Sequence, residues 1–423
     1  MARVDTLLDA LRQAGRVESE GYFTLDGRKA QEKMREFALV DSHEYVLKIV
    51  QAAVAGGASR LDVRADAGGV SVVAHGWQVS TDFIDDPFAG LFISQERGEA
   101  QDWRHLAIGL NAALALHPRG IEVRAGGRVL HIASADSSSV RDEATSHEGT
   151  RIDVLERVSW RMAGRALKAL VGGVPEAQLV ASRVAWCRVC VTLNGRGVTD
   201  AEWTATIRRR VSNDPHQAGE HFVTWLPRGV TAEKARVVFV KHGVQVCARA
   251  LALPPLQAPA AIHGDDLLTN ASGSDVVDDS RYQGCVDVLR KGSEALVLRL
   301  AAEADVAPES AWWTGVRPHL LRGMAAMFKN PRGDGSPVQE ALRKTPLFKD
   351  IEGNPVSLAD IAAAREAGRS VQPCQGGLTL VGSPQQLYIQ VDGDDTFGAM
   401  GAVLGKKWLA PLADRERTDK MTE

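Results

Sequence analysis

Apolar residues recur along the chain with two different periods, and together they predict the secondary structure of the first third of the protein. Helical spacing predicts a helix over 3–14, a charged amphipathic helix that follows the Asp26-Gly27 turn within 21–39, and a more apolar helix over 43–56 that we expect to be buried on most sides. A second apolar helix is predicted over 104–117. Alternating or continuous apolar runs predict strands over 59–66, 69–76, 120–125, 128–134 and 149–156. Residues 135–148 have no such period and are predicted to form a loop.

This order of elements favours an α+β fold in which helices cover one face of a mixed sheet. After residue 159 the pattern starts again, and it predicts a helix over 159–182, strands over 183–193, 221–226 and 236–247, and a long helix over 281–303. Asn194 and Gly195 form a hairpin-turn signal. The last part predicts a helix near 316–328, strands near 378–382 and 386–391, and a helix start with Ser357 as N-cap and Asp360 in the first turn.

Composition limits the classes of partner and compartment. The chain has 423 residues, so two or three domains are expected. A net charge of -3 and a pI near 6.4 give no electrostatic case for nucleic acid or an anionic membrane. No apolar run is long enough for a membrane span, and the N-terminal residues are amphipathic rather than signal-like. Five scattered cysteines fit a reducing compartment, so we expect a cytoplasmic protein.

Four short motifs follow one another in a recognisable order. The buried helix leads into 56-GGASRLDV-63, a strand leads into 74-AHGWQVS-80, a lid-like segment precedes 104-RHLAIGLNAAL-114, and 149-GTRIDV-154 forms a closing strand. Together they resemble the GHKL ATP-binding fold, which is shared by ninety-kilodalton heat-shock chaperones, MutL proteins, type II topoisomerases and histidine kinases. Four motifs in order are more specific than any one of them.

The resemblance implies a site chemistry from which this chain departs. In the family, a helix Glu orients the attacking water, an Asn four residues later holds Mg²⁺, an Asp binds adenine, and lid glycines approach the phosphates. Depending on the alignment, the Glu and Asn positions carry Leu47 and Gln51 or Lys48 and Ala52. The adenine Asp is replaced by Ala74, and Arg104 and Ala107 replace two lid glycines. Gly76, Gly109 and the pair Gly149-Thr150 are retained.

The second part of the chain resembles the chaperone middle domain. The stretch 236-RVVFVKHGVQV-246 and then 265-DDLLTNASGSDVVDDSRYQGCVDVLRK-291 match its strand pair, loop and helix, with Asp266, Leu267, Asn270 and Ser272 in the loop pattern. In that family an Arg after the Ser reaches the γ-phosphate, whereas this chain has Gly273. The arginine that the resemblance implies is therefore missing, in addition to the helix Glu and the adenine Asp.

These observations predict a GHKL-like domain at 1–156, a chaperone-type α/β middle domain at 157–303 and a small α+β region of unknown role at 304–423. We expect a catalytically degenerate chaperone-like protein that binds a protein partner or client. No catalytic residue or metal site is assigned. Gln51, Gly76, Gly109 and Thr150 are the cofactor-binding candidates if ATP and Mg²⁺ bind. Two alternatives stay open: a divergent ATP-dependent chaperone that binds ATP through other residues, and a MutL-like DNA-associated module, which the net charge disfavours.

Three further features favour structural roles. We expect Cys187 and Cys190 on opposite faces of one strand, where they cannot hold one metal ion. The arginine run 208–210 lacks neighbouring aromatic residues in the sequence and favours a solvated face. For Trp312 and Trp313, we expect at most one indole to face the core, with the other in a domain or partner contact.

Overall fold

The computed structural model describes residues 27–37, 39–95, 100–143, 148–157, 173–210, 216–218, 221–226, 234–307, 310–329, 335–375 and 385–404. The helix predicted over 3–14, much of the one over 159–182, and the strand near 378–382 lie outside these residues. No helix in the described part is long and apolar enough to cross a membrane.

A large mixed sheet forms the first half of the structure. Its strands are β1 (Arg60–Asp66), β2 (Gly69–His75), β3 (Gly120–Ala125), β4 (Arg128–Ser134), β5 (Ser137–Asp142), β6 (Thr150–Leu155), β7 (Cys190–Leu193) and β8 (Arg196–Gly197). They pair in the order β5-β4-β3-β6-β2-β1-β7-β8. β1 and β7 are parallel, and the other neighbours are antiparallel.

Helices pack on this sheet as the apolar pattern requires. They are α1 (Gly27–Phe37), α2 (Tyr45–Ala55), α3 (Thr81–Asp85) and α4 (Gln101–Leu114). α2 and α4 pack against each other, and both belong to the core that includes Leu61, Val72 and Ile152 of the sheet. The predicted mixed α+β architecture is therefore confirmed.

Two details of this sheet differ from or extend the prediction. Residues 135–148 do not form only a loop, because β5 pairs with β4 there. All six β5 residues are exposed at the sheet edge, so no apolar alternation marks the strand. β7 and β8 complete the same sheet although they follow residue 156, the predicted end of the first domain. The predicted hairpin turn is confirmed, with Asn194 and Gly195 at φ 51° and 77° between the two strands.

A second sheet follows, with the order β12-β11-β13-β10-β9. Its strands are β9 (His216–Ala218), β10 (Phe222–Thr224), β11 (Ala235–Lys241), β12 (Val244–Leu251) and β13 (Ala260–His263), preceded by α5 (Pro175–Arg183) and α6 (Trp203–Arg210). The predicted long helix is α7 (Ser280–Ala302), which packs on this sheet through Leu289 and Val286. The β11–β12 turn extends towards the first core, which includes Val244.

The C-terminal part has its own core. It contains α8 (Ala311–Gly315), α9 (Arg317–Lys329), α10 (Pro337–Lys344), α11 (Leu358–Glu366) and α12 (Asp394–Leu404), with short pairs β14 (Phe348–Lys349) with β15 (Pro355–Val356), and β16 (Ser370–Gln375) with β17 (Gln386–Val391). Ser357 and Asp360 form a reciprocal capping box, which confirms the predicted helix start. The expectation for Trp312 and Trp313 was wrong. Both are buried in this core, because the indole N–H of Trp312 donates to the Leu300 carbonyl and Trp313 lies under Arg317.

Candidate functional site between the two sheets

Gln51 lies on the face of α2 that meets the second sheet. Its side chain is 3% exposed, because α2 is apolar around most of its circumference and is covered on both sides. The amide Nε2 donates to the Lys241 carbonyl at 3.1 Å, and Oε1 accepts from Lys48 Nζ at 2.9 Å. Each amide atom thus already has a protein partner. Gln51 connects the helix to the second sheet in the place where the resemblance would put a Mg²⁺ ligand.

Lys48 lies one turn earlier on α2 and contacts the loop between β13 and α7. Burial lowers the pKa of its ammonium to about 8, and the nearby Arg104 contributes in the same direction. The loop reaches Lys48 at Gly273, where an added Cβ would lie 2.8 Å from Nζ. Gly273 also has φ +69°, a conformation that favours glycine. An arginine at this position would be strained by the positive φ and would place a second cation beside Lys48.

Further cations surround this contact. Lys241 is 3% exposed, donates to the Leu267 carbonyl, and has its pKa lowered to about 8, first by burial and then by Arg104. Arg104 Nε donates to the Ile93 carbonyl at 2.9 Å, and Arg183 donates to the Gln245 carbonyl at 2.6 Å. These guanidinium groups are held by backbone oxygens, which carry no full charge to neutralise them.

Two carboxylates balance part of this positive charge. Glu44, at the start of α2, lies 3.7 Å from Arg183, and burial raises its pKa. Asp265 accepts from the backbone N–H of His242 at 2.7 Å and pairs with Arg188 at 3.1 Å. Lys48, Arg104, Arg183 and Lys241 thus outnumber the neighbouring carboxylates among the described residues. We call these four side chains the cation cluster.

Two histidines lie beside the cation cluster. The His105 and His242 rings meet edge to face, with centroids 5.1 Å apart. Three ring nitrogens have no hydrogen-bond partner among the described residues: both nitrogens of His105 and Nε2 of His242. Burial lowers the pKa of His242 to about 4 and holds that of His105 well below its ordinary value, and Lys48 adds to both effects. Both rings are therefore neutral at pH 7.

Little space remains at this contact. A cavity of about 10 Å³ is lined by Leu47, Lys48 and Gln51 of α2 and by Glu44, Arg183, Val244, Gln245, Val246 and Gly273. Both alignments of the family Glu therefore fall on the cavity wall, whereas Ala52 does not line it. A nucleotide needs a pocket of several hundred Å³. The start of β12 and the loop that contains Gly273 fill the position in which the resemblance would place the nucleotide.

Gly109 lies inside a helix, as the helix predicted over 104–117 implies. α4 starts at Gln101, so Gly109 lies in its interior, where backbone N–H groups are used within the helix. An added Cβ would lie 3.1 Å from the Tyr45 carbonyl and 3.1 Å from Lys48 Cβ. The glycine lets α2 and α4 approach closely.

Gly76 and Thr150 lie at adjoining ends of β2 and β6, where Ala74 pairs with Thr150. Gly76 has φ +79° and turns the chain out of β2. The buried Thr150 hydroxyl donates to the Trp77 carbonyl at 2.9 Å and accepts from the Val79 N–H at 3.1 Å. Thr150 therefore fixes the segment after β2.

The Trp77 indole covers the end of α2. It is 3% exposed, and a Cβ added to Gly56 would lie 2.0 Å from its Nε1 atom. Gly56 has an ordinary φ of -79°, so its small size rather than its backbone freedom is needed there. Trp77 thus occupies the volume beside the strand end where the resemblance would place adenine recognition.

The four predicted residues therefore fall into two places. Gly76 and Thr150 share the strand ends, while Gln51 and Gly109 contribute to the contacts of α2. The sequence prediction missed Lys241, His105 and His242. A polar Lys-His pair at the end of an apolar strand, and a histidine inside an apolar helix, were the available signals.

Cys187 and Cys190 lie near the start of β7 and differ in burial. Cys187 precedes β7 rather than lying in the strand, and it is buried with its pKa raised to about 12 by burial. The two-faced strand predicted for the pair was therefore wrong, because β7 begins only at Cys190. No group of three or more metal-ligating side chains was found among the described residues.

Comparison with known proteins leaves the family open. No family model matches the chain, and no curated protein matches it. Among solved structures, the chain is similar to two crystal structures of the ATPase region of Saccharomyces cerevisiae topoisomerase II, one of them bound to ICRF-187 (dexrazoxane). The identities are 8% and 9%, and both matches have a TM-score of 0.39 and cover 62% of this chain and 86% of that chain. A similarity of this strength assigns neither a family nor an activity.

Proposed function

We propose that this protein is a GHKL-type, chaperone-like binding protein that no longer hydrolyses ATP and that holds a protein partner or client. One observation carries the proposal: the position of the family's catalytic helix residues is filled by contacts between Gln51, Lys48, Lys241 and Gly273. These contacts join the first and second sheets. The order of the four motifs supports the GHKL assignment.

The chemistry of the site favours loss of hydrolysis. A general base must accept a proton from the attacking water, and a protonated Lys48 cannot do so. A Mg²⁺ ion prefers carboxylate oxygens, whereas Gln51 and Lys48 supply an amide and an ammonium. Ala74 replaces the Asp that would accept a hydrogen bond from the adenine amino group, and its side chain is fully buried.

The partner-binding part is tested by a holding assay. The purified protein is mixed with an aggregating, thermally unfolded model client, and light scattering is followed with and without ATP and Mg²⁺. We expect suppression of aggregation near equimolar ratio, with the same extent in both conditions because the catalytic positions are filled. An absence of suppression at a large molar excess would exclude a client-holding role.

A divergent ATP-binding protein is the second candidate, and the cation cluster favours it. Four buried or half-buried cations attract an anion such as a triphosphate, and Glu44 offers a carboxylate whose raised pKa suits a general base. Binding would require the second sheet to move away from α2. Thermal denaturation with millimolar ATP and Mg²⁺ tests this candidate: a saturable rise in Tm that Lys241→Met removes would favour it over the first.

A further inference from the structure

A groove lies on the edge of the first sheet and is not formed by any residue of the cation cluster. It has a volume of about 840 Å³, within the range of sites that enclose ligands. Its lining residues come from α5, the segment between α5 and β7, the β7–β8 hairpin with the residue after it, and the end of α6: Ala181, Trp186, Leu193, Arg196, Val198 and Arg210, together with Asn194 and Gly197.

The apolar part of the groove is rigid. The half-buried Trp186 indole stacks on Trp225, with centroids 5.4 Å apart and the planes at 20°. Trp203 meets Trp186 edge to face at 6.4 Å. Contacts with these two indoles hold the ring of Trp186 in place, and Leu193 also lines the groove. A pre-ordered aromatic surface binds an apolar side chain at a low entropic cost.

The polar part of the groove is cationic. Arg210 Cζ lies 5.9 Å from the Trp186 ring centroid, and its guanidinium donates to the Val198 carbonyl at 3.3 Å. Arg196 lies exposed on the hairpin, and no carboxylate of the described residues forms an ion pair with it. Among the residues that the structure describes, the lining includes no Asp or Glu. The groove is therefore electrostatically complementary to carboxylates.

The hairpin keeps this arrangement in position. The Asn194 side chain accepts from the Ala65 N–H at 2.9 Å and donates to the Ala65 carbonyl at 3.1 Å, which pins the turn to β1. Arg196 follows two residues later and is presented at the rim of the groove. The aromatic residue that the arginine run 208–210 lacks in sequence is supplied here by Trp186, which comes from a different segment.

We propose that this groove binds a short acidic segment of a protein partner, with an apolar side chain against Trp186 and flanking carboxylates on Arg196 and Arg210. Trp and Arg are the residues that most often dominate binding energy at protein interfaces, and clustered arginines recognise acidic motifs. The inference rests on the proposed partner-binding function and names the chemistry of that partner.

The test is fluorescence polarisation with labelled heptapeptides that carry Phe or Leu at the centre and Asp or Glu on both sides. Matched peptides with Lys in place of the acidic residues are the chemical control. We expect saturable binding of the acidic peptides only, weakening as the salt concentration rises. Arg196→Glu and Arg210→Glu should each weaken it at least tenfold.

Arg208→Glu is the matched variant, because Arg208 is exposed on α6 and does not line the groove. It should bind like the wild type, which separates groove contacts from net charge. Absence of acidic-peptide binding, equal binding of the basic peptides, or equal loss in all three variants would overturn the inference. The inference would also be overturned if the protein bound a poly(dT) oligonucleotide and not the peptides, and if Arg196→Glu and Arg210→Glu abolished that binding.

The outcome stays distinguishable from that of the proposed function. If Arg196→Glu suppresses client aggregation like the wild type while no acidic peptide binds, the groove assignment fails and the holding function stands. If neither the wild type nor Arg196→Glu suppresses aggregation, the holding function fails independently of the groove.

Discussion

Replacing Lys48 by Met tests whether the α2 contact is closed as the structure shows. The substitution keeps most of the side-chain length, so the stem can still pack against α4, and it removes the buried charge. It also removes the donor to Gln51 Oε1. The two effects oppose each other at neutral pH, and they differ in their pH dependence.

The size of each effect follows from the structure. The pKa of Lys48 is lowered from 10.5 to about 8, so keeping it protonated at pH 7 costs the folded state about 3 kcal/mol at 1.36 kcal/mol per pKa unit. The lost hydrogen bond costs about 1 to 3 kcal/mol. At pH 7 the variant should therefore be as stable as the wild type or up to about 2 kcal/mol more stable.

The pH dependence gives the sharper result. Because the folded pKa lies below the unfolded one, the unfolded state binds more protons between pH 8 and 10.5, and stability rises with pH there. Lys48 alone should raise the free energy of unfolding by about 2 kcal/mol between pH 7 and 9.5. Urea denaturation at both pH values measures it for both proteins. Equal pH slopes in wild type and Lys48→Met would show that Lys48 is solvated and the reasoning is wrong.

Three other predictions concern stability. Because burial keeps His105 neutral in the folded state, stability should fall as the pH drops below 6.5, and His105→Leu should lose less between pH 7 and 5 by urea denaturation. Gly284→Ala should stabilise the protein by up to about 1 kcal/mol, since nothing lies within 4 Å of the added Cβ. Gly109→Ala should instead lower the Tm, because its Cβ meets the neighbouring helix. Equal shifts in Tm for the two variants would contradict the close packing at Gly109. Asp392→Ala leaves the buried Arg317 without its carboxylate and should cost about 2 to 3 kcal/mol in chemical denaturation, and a neutral result would show that this pair contributes nothing.

The sequence predicted the central elements of the first sheet, because their periodicity is local. α2 and the β1–β2 pair match the predicted ranges within two residues, since each buries a continuous or alternating apolar face. β5 could not be found in this way. Its residues are all exposed, and only its pairing with β4 makes it a strand.

The candidate site was predicted only in part, because its contacts join distant segments. Gln51 was identified by aligning its helix with the family motif, but its partner Lys241 lies on another sheet, and no local pattern connects them. Gly109 shows a second limit. A glycine that lets two helices approach looks the same in sequence as one that approaches a phosphate. The groove at Trp186 and Arg210 likewise depends on tertiary contacts.

Calorimetric titration of the full chain with ATP and Mg²⁺, together with a phosphate-release assay on the same samples, tests the central claim most directly. The closed contact of Gln51, Lys48 and Lys241 predicts no saturable heat at millimolar nucleotide and no release of phosphate above background. Micromolar binding accompanied by turnover would contradict the proposal that this protein does not hydrolyse ATP.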